Sequence, residues 1–372
     1  MQNNTIKVGI DMSVVDQPLT GVGRYALEMC KSLAKNHNLD VYLYNVSGSC
    51  ASLFNGERLH IKSHKKGVFK TSLFCLSLIE SLKQDKVDVF WSPYPRLPFF
   101  LPRSVYKIVT IHDLVWMYYP RTMKLRSWLV NSILIPMALR QSDLILSVSK
   151  STKKDLVREF NIASSKIELI PNGCKANKSF CNTLNNIKNP YCLFVGTIEP
   201  RKNLTNLLLA YARLKDEDKS KLIIVGDKGW GGIRLTNLIS ELDLDRYVEF
   251  KGYVSEHQLA GLYANAQFLV MPSLYEGFGL PIVEAMSYGT PVLTANNSSM
   301  PEVAGNAGLL VDALDVESIA DGLQEMITNN ELRERLAKNA KLNAARYSWD
   351  KSAKKLITVF EKAIDLRKDK LS

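Results

Sequence analysis

The sequence predicts an α/β protein of two Rossmann-like, doubly wound domains facing a central cleft. Three observations carry this expectation. Short apolar, β-rich runs alternate with amphipathic helical stretches, the pattern of parallel sheets whose crossovers are helices. The alternation runs twice, interrupted by a polar, aperiodic stretch from Lys175 to Asn189 with Pro190 behind it. The length of 372 residues exceeds one ordinary domain and suits two.

The first strand is expected at 7–11, followed by the loop 12–20 and a helix from about Val22 to Lys35. Apolar runs at 41–45, 87–91, 107–111 and 144–148 continue the first series. The Asn- and Lys-rich stretch 175–189 lacks any period and marks the boundary. Strands at 191–195, 221–225, 247–251, 268–271 and 291–294 form the second series. Helices at 203–215, 256–265 and 281–287 lie between them, and 316–366 is helical in pattern. Trp349 opens a last long helix after the break at Tyr347-Ser348. The expected division is therefore 1–180, 190–348, and a terminal helix 349–372 packing back on the first domain. Ligands of such sheets bind at the carboxyl ends of the strands.

Composition narrows the function classes. With 46% hydrophobic and 23% charged residues the chain is globular. Its six cysteines show no CxxC pair and no zinc spacing, so they read as reduced thiols. Lys7 and the lack of a long apolar core argue against a signal peptide. The longest apolar stretch, 128–139, contains Asn131, Ser132 and Pro136 and is too short to span a bilayer. A cytoplasmic protein is expected. Charge is one-sided: residues 1–180 hold 25 Lys+Arg against 13 Asp+Glu, whereas the remainder is nearly balanced. Such a field implies an anionic partner: membrane lipid, nucleic acid or a phosphorylated substrate. No zinc-finger or RRM-type signature supports nucleic acid, and none is expected as a partner.

Four segments carry chemistry. The first runs Leu274-Tyr275-Glu276-Gly277-Phe278-Gly279-Leu280-Pro281-Ile282-Val283-Glu284, after a strand and into a helix. Gly277 and Gly279 permit positive φ, and Pro281 suits a first helical turn. Free amides at a helix N-terminus suit an anion or a polyhydroxyl ligand. Glu276 before the loop and Glu284, expected in the first turn, can accept paired hydrogen bonds from vicinal hydroxyls. An ordinary residue favoured by the helix dipole also explains Glu284. The second segment, Gly196-Thr197-Ile198-Glu199-Pro200-Arg201-Lys202-Asn203, puts two adjacent cations where a pyrophosphate leaving group could be neutralised. The third is Gly21-Val22-Gly23-Arg24-Tyr25, a glycine pair opening a helix. The fourth, Thr110-Ile111-His112-Asp113, ends a strand.

Together these segments resemble the family-4 retaining glycosyltransferases of the GT-B fold, in particular bacterial mannosyltransferases that build O-antigen polysaccharide. Glu276 and Glu284, seven residues between them, match the family's E-x7-E motif. Ile170-Pro171-Asn172-Gly173 and Pro301-Glu302-Val303-Ala304-Gly305 look like its cleft-lining and packing segments. The resemblance implies Glu284 as the ribose ligand and Glu276 as the carboxylate beside the transferred sugar. It implies Lys202 on the phosphates and His112 on the sugar hydroxyls. Gly23 would let the N-terminal loop approach the donor, and Gly277, Phe278, Gly279 and Leu280 would line the donor site. Relatives carry an arginine right after the strand glycine; here Thr197 stands there, and Arg201 is assigned the second positive charge.

The resemblance further implies a nucleotide-sugar donor, GDP-mannose, with residues 226–232 and 253–254 around the base. It implies a lipid-linked saccharide acceptor, retention by same-face attack, and no metal or other cofactor. A sugar-nucleotide epimerase or phosphorylase-like enzyme on the same scaffold stays open, as does a non-enzymatic basic membrane or nucleic-acid module. The acceptor and the basic half together imply peripheral attachment at the inner face of the cytoplasmic membrane. Lys62, Lys65, Lys66 and Lys70 before the apolar run of Phe69 and 73–82 read as an amphipathic helix on lipid or, equally, as a core helix.

Overall fold

A computed structural model of the chain describes residues 5–16, 19–54, 59–62, 76–175, 190–227 and 232–371. The chain divides into two compact units, 1–117 with 124–173 and 348–372, and 118–123 with 174–347.

The first unit holds a seven-stranded parallel sheet. Its strands are β1 (Ile6–Asp11), β2 (Leu39–Tyr44), β3 (Leu59–Lys62), β4 (Val89–Ser92), β5 (Tyr106–Ile111), β6 (Leu144–Ser147) and β7 (Ile167–Leu169), in the order β3-β2-β1-β4-β5-β6-β7. Helices α1 (Gly21–Leu33), α2 (Leu76–Gln84), α3 (Val115–Tyr118), α4 (Leu125–Gln141) and α5 (Lys150–Phe160) connect them, α3 ending on a residue of the second unit. All four residues of β4 are buried, as expected of a central parallel strand covered on both faces. Thr20 caps α1 by accepting from the Gly23 amide at 3.2 Å, and its inward face buries Tyr25, Met29, Cys30 and Leu33.

The lipid-facing alternative for residues 62–86 is not what the described part of that segment adopts. Lys62 ends an edge strand, its Nζ 2.6 Å from Asp85 Oδ1 and over the Tyr42 ring. Leu78 and Leu82 of α2 are fully buried, so α2 is a core helix. Lys65, Lys66, Phe69, Lys70 and Leu73 lie outside the described residues.

The second unit holds a six-stranded parallel sheet of β8 (Tyr191–Val195), β9 (Lys221–Val225), β10 (Val248–Gly252), β11 (Phe268–Met271), β12 (Val292–Ala295) and β13 (Gly308–Val311), ordered β10-β9-β8-β11-β12-β13. Its helices are α6 (Leu204–Ala212), α7 (Gly232–Glu241), α8 (Glu256–Asn265), α9 (Leu280–Ser287), α10 (Met300–Ala304), α11 (Val316–Thr328) and α12 (Asn330–Ala344). Phe194, Leu208, Ile224, Phe268 and Leu323 meet in one fully buried core. Ser255 and Gln258 form a reciprocal capping box that starts α8.

Helix α13 (Trp349–Leu371) belongs to the first unit and packs on α1, β4 and β5. Phe360 is fully buried beside Trp91, and Trp349 stands edge-on to Tyr25. The Pro171-Asn172-Gly173 segment receives the helix start: Ser352 Oγ donates to Pro171 O at 2.6 Å. A Cβ on Gly173 would sit 2.1 Å from the Trp349 backbone nitrogen, so only glycine fits there. In each sheet strand order reverses once near the middle, between β1 and β4 and between β8 and β11. These reversals are where doubly wound sheets open for ligands.

Candidate functional site

In the second unit the reversal makes β8 and β11 neighbours, with Leu269 opposite Leu193. The loops leaving their carboxyl ends are therefore forced together. Leu274 N donates to Arg201 O at 2.9 Å. Pro200 opens a single 3-10 turn, Pro200–Lys202, and Asn203 ends it at φ 61°, a left-handed conformation that Asn tolerates. The buried Asn203 amide then donates to Pro272 O at 3.0 Å and Ala313 O at 2.7 Å, tying three loops.

This scaffold presents a compact ion cluster. Lys202 Nζ lies 2.6 Å from Glu276 Oε1, and Arg201 Nη1 lies 2.8 Å from Glu276 Oε2. Arg201 also donates to Tyr275 O at 2.9 Å and pairs with Glu199 Oε1 at 2.5 Å. Glu276 and Lys202 are only 7% and 8% exposed, a depth at which charges persist only if paired. Loop 296–299 clamps the Glu276 backbone: its N–H donates to Ser298 Oγ at 3.0 Å, and Ser299 Oγ donates to its carbonyl at 2.9 Å. Burial pushes the Glu276 carboxyl up, but Arg201 and Lys202 outweigh it and hold the group down at about 2. At neutral pH it is a fixed negative charge, not a proton donor. The formal charges of Glu199, Arg201, Lys202 and Glu276 cancel. The Lys202 ammonium has three donors, so it can keep Glu276 and still donate to an incoming anion.

Beyond Glu276 the chain turns into α9. Among its loop glycines only Gly279 takes positive φ, at 90°, where it caps the helix; Gly277 does not. Phe278 is buried edge-on against Tyr347, and Leu280 begins the helix. Glu284 stands in the second turn of α9, not in the first as expected, because the helix begins at Leu280. What holds it is Tyr263, whose hydroxyl donates to Glu284 Oε2 at 2.8 Å while its ring stacks on Tyr288. Gly226 packs so tightly that a Cβ there would lie 2.1 Å from Gly196 O. Residues 228–231 of the expected base-binding stretch lie outside the described residues, and Tyr253 is 65% exposed.

His112 and Gly23 belong to the first unit. His112 follows β5; burial lowers its pKa, and the Tyr25 ring stands edge-on to it. As a neutral imidazole it donates from Nε2 to Pro93 O at 2.8 Å, which makes Nδ1 the ring's acceptor. Gly23 is required by the preceding loop, since a Cβ would meet Val14 O at 2.8 Å. Its amide is occupied by the Thr20 cap.

Four partners were not assigned roles from sequence: Glu199, Ser298, Ser299 and Tyr263. Glu199 was legible as an acidic residue two positions before Arg201. The serines and Tyr263 carry no local signal, because only the tertiary fold brings them to Glu276 and Glu284. The buried Asp11 was also missed. It ends β1 and accepts from Asn45 Nδ2 at 3.0 Å and Tyr94 OH at 3.1 Å, fixing the strand-end loop of the first unit. Among the described residues no group of three or more His, Cys, Asp or Glu converges as a metal centre requires.

Comparison with known proteins places these features in a wider set. Residues 177–343 match the family described as glycosyl transferases group 1, and residues 19–178 match glycosyltransferase family 4. The chain is 30% identical to O-antigen chain mannosyltransferase B of Escherichia coli, over 93% of this chain and 97% of that protein. It is 31% identical to an O-antigen chain mannosyltransferase of Salmonella typhimurium over 65% of each chain. Its fold is similar to sucrose-phosphate synthase of Thermosynechococcus elongatus, with a TM-score of 0.77 at 18% identity, covering 97% of this chain and 100% of that one.

Proposed function

From the premise that the chain belongs to the glycosyl transferases of group 1 and family 4, with the GT-B fold, we propose that it transfers mannose from GDP-mannose with retention. The acceptor in this proposal is a lipid-linked saccharide of O-antigen or lipopolysaccharide synthesis, at the inner face of the cytoplasmic membrane. The observation that carries the reading is the Arg201–Lys202–Glu276 cluster at the strand-order reversal of the second sheet. The names of the two mannosyltransferases, both similar to this chain, support the sugar and the pathway class.

In this reading the second unit binds the donor and the first the acceptor. Glu284, steadied by Tyr263, takes the ribose hydroxyls. Lys202, Arg201 and the amides of 277–280 take the diphosphate. As the bond from the anomeric carbon to the diphosphate oxygen breaks, negative charge grows on the leaving group, and preformed cations stabilise that charge best. Glu276, ionised, faces the positive anomeric centre. The departing phosphate oxygen accepts the proton of the acceptor hydroxyl, which attacks from the same face. His112 accepts from a sugar hydroxyl through Nδ1, and Gly23 lets its loop come close. We include metal independence in the proposal, with hydrogen-bond donation from Lys202, Arg201 and the 277–280 amides in the place of a divalent ion.

A sugar-nucleotide epimerase is the second reading, because it would hold the same donors without an acceptor. Incubation with a panel of nucleotide sugars, with and without a lipid-diphosphate saccharide, separates the two. Acceptor-dependent release of GDP from GDP-mannose is expected. Interconversion of the donor sugar without acceptor would favour the epimerase, and UDP-GlcNAc turnover far above that of GDP-mannose would overturn the donor.

A further inference from the structure

Loop 296–299, between β12 and α10, holds Glu276 by its backbone and not by its charge. Strand β12 pairs with β11, and two ties fix the start of the loop. Thr294 Oγ1 donates to Met271 O at 2.8 Å, and Asn296 N donates to Val311 O at 2.9 Å. Three consecutive side chains then reach the segment that carries Glu276. Asn297 Nδ2 donates to Ser273 O at 3.4 Å, which leaves Oδ1 as the acceptor of that amide. Ser298 Oγ donates its one proton to this Oδ1 at 3.1 Å, so its lone pairs are left for the Glu276 N–H at 3.0 Å. Ser299, fully buried, donates to the Glu276 carbonyl at 2.9 Å. The peptide groups on both sides of the Glu276 Cα are thereby held. The arrangement puts Ser298 at φ 48°, a left-handed conformation that suits glycine and not serine. Such backbone persists only where its surroundings impose it, and it gathers at functional sites.

We propose that Ser298 and Ser299 are positioning residues for the transfer step, aiming the Glu276 carboxylate at the reacting carbon of the sugar. The inference rests on the reading that places Glu276 beside the transferred sugar. Lys202 and Arg201 hold the same carboxylate, but in that reading they also donate to the diphosphate. The serines act on the peptide groups alone, so they keep the carboxylate's direction while the cations are shared with the donor. A group at a reacting centre that is displaced by a fraction of an ångström loses rate before it loses binding.

The test is steady-state kinetics of Ser298→Gly and Ser299→Ala, each alone and combined with Glu276→Ala, with GDP titrations and thermal melts alongside. Ser298→Gly removes the hydroxyl but relieves the backbone, so its melting temperature should stay close to that of the wild type. In each serine variant kcat is expected about tenfold lower, with donor KM and GDP affinity within about twofold. In the Glu276→Ala background the serine substitutions should lower kcat no further, because no carboxylate is left to aim. Should one serine variant fail to fold, the other carries the test. A Ser298→Gly kcat within about twofold of the wild type, beside a clear loss in Glu276→Ala, would overturn this inference alone. Serine losses that persist in full without Glu276, or that come with equal losses in GDP affinity and melting temperature, would assign the serines a structural role instead. If Glu276→Ala itself left kcat unchanged, the reading of Glu276 would fall and this inference with it.

Discussion

Lys202 Nζ and Glu276 Oε1 lie 2.6 Å apart although 74 positions separate the residues in the chain. Each belongs to a loop at the carboxyl end of its strand, and the strands pair only because the second sheet reverses order there. The ion pair is thus a product of topology, and the donor chemistry proposed above depends on that topology directly.

The two glutamates of the E-x7-E segment should fail differently. With Glu284 on the ribose hydroxyls, as proposed, Glu284→Ala is expected to raise the donor KM by about tenfold or more, with kcat little changed. With Glu276 beside the transferred sugar, as proposed, Glu276→Ala should lower kcat by about a hundredfold. Steady-state kinetics of both variants checks this; matched losses in both constants for both variants would remove the separate roles.

Activity should survive chelation. In the proposed function Arg201 and Lys202, the two cations paired with Glu276, take the diphosphate without a divalent ion. Initial rates in excess EDTA are expected to match those without it. Loss in EDTA, restored by magnesium or manganese, would contradict metal independence.

Acid should cost this protein stability through Glu276. Its carboxyl is held at about 2 in the folded chain, against roughly 4.3 unfolded. For a depressed carboxylate the contribution is complete above the unfolded value and is lost as pH falls through the folded one. Glu276→Gln removes the carboxylate that Lys202 and Arg201 share and should destabilise by about 3 kcal/mol at pH 7. The gap in melting temperature between wild type and variant should be widest near neutrality and shrink below about pH 4. A gap that stays constant down to about pH 2 would show the carboxylate is not held as described.

Gly226→Ala should disturb the proposed donor site from behind. The added methyl would meet Gly196 O at 2.1 Å, and the residue has φ 144°, so the two loops must separate. A loss of about 1–3 kcal/mol in stability is expected, with impaired donor binding. Gly48→Ala, where nothing lies within 4 Å, is the control and should be nearly neutral. Denaturant melts of the two variants make the comparison.

Much of this was legible in the sequence, and the gaps have physical causes. The long buried strands showed as apolar runs, since parallel strands covered on both faces must be apolar throughout. Strands β3, β7 and β13 did not show. They have four, three and four residues, all stand at sheet edges, and Glu168 and Lys62 break the apolar pattern. Both halves of the ion cluster read as separate motifs, but their meeting did not, because neighbour relations in a sheet are not local. The turn position of Glu284 depended on Gly279 acting as the cap, a backbone property that glycine only permits.

The most direct measurement of the central claim, that the Arg201–Lys202–Glu276 cluster holds the donor diphosphate, is calorimetric titration of GDP into the wild type and into Lys202→Ala. Binding by the wild type and affinity at least about tenfold weaker in the variant are expected, the loss of one charge-assisted contact to phosphate. Equal affinity in the two proteins, with both folded, would place the diphosphate elsewhere and contradict the account.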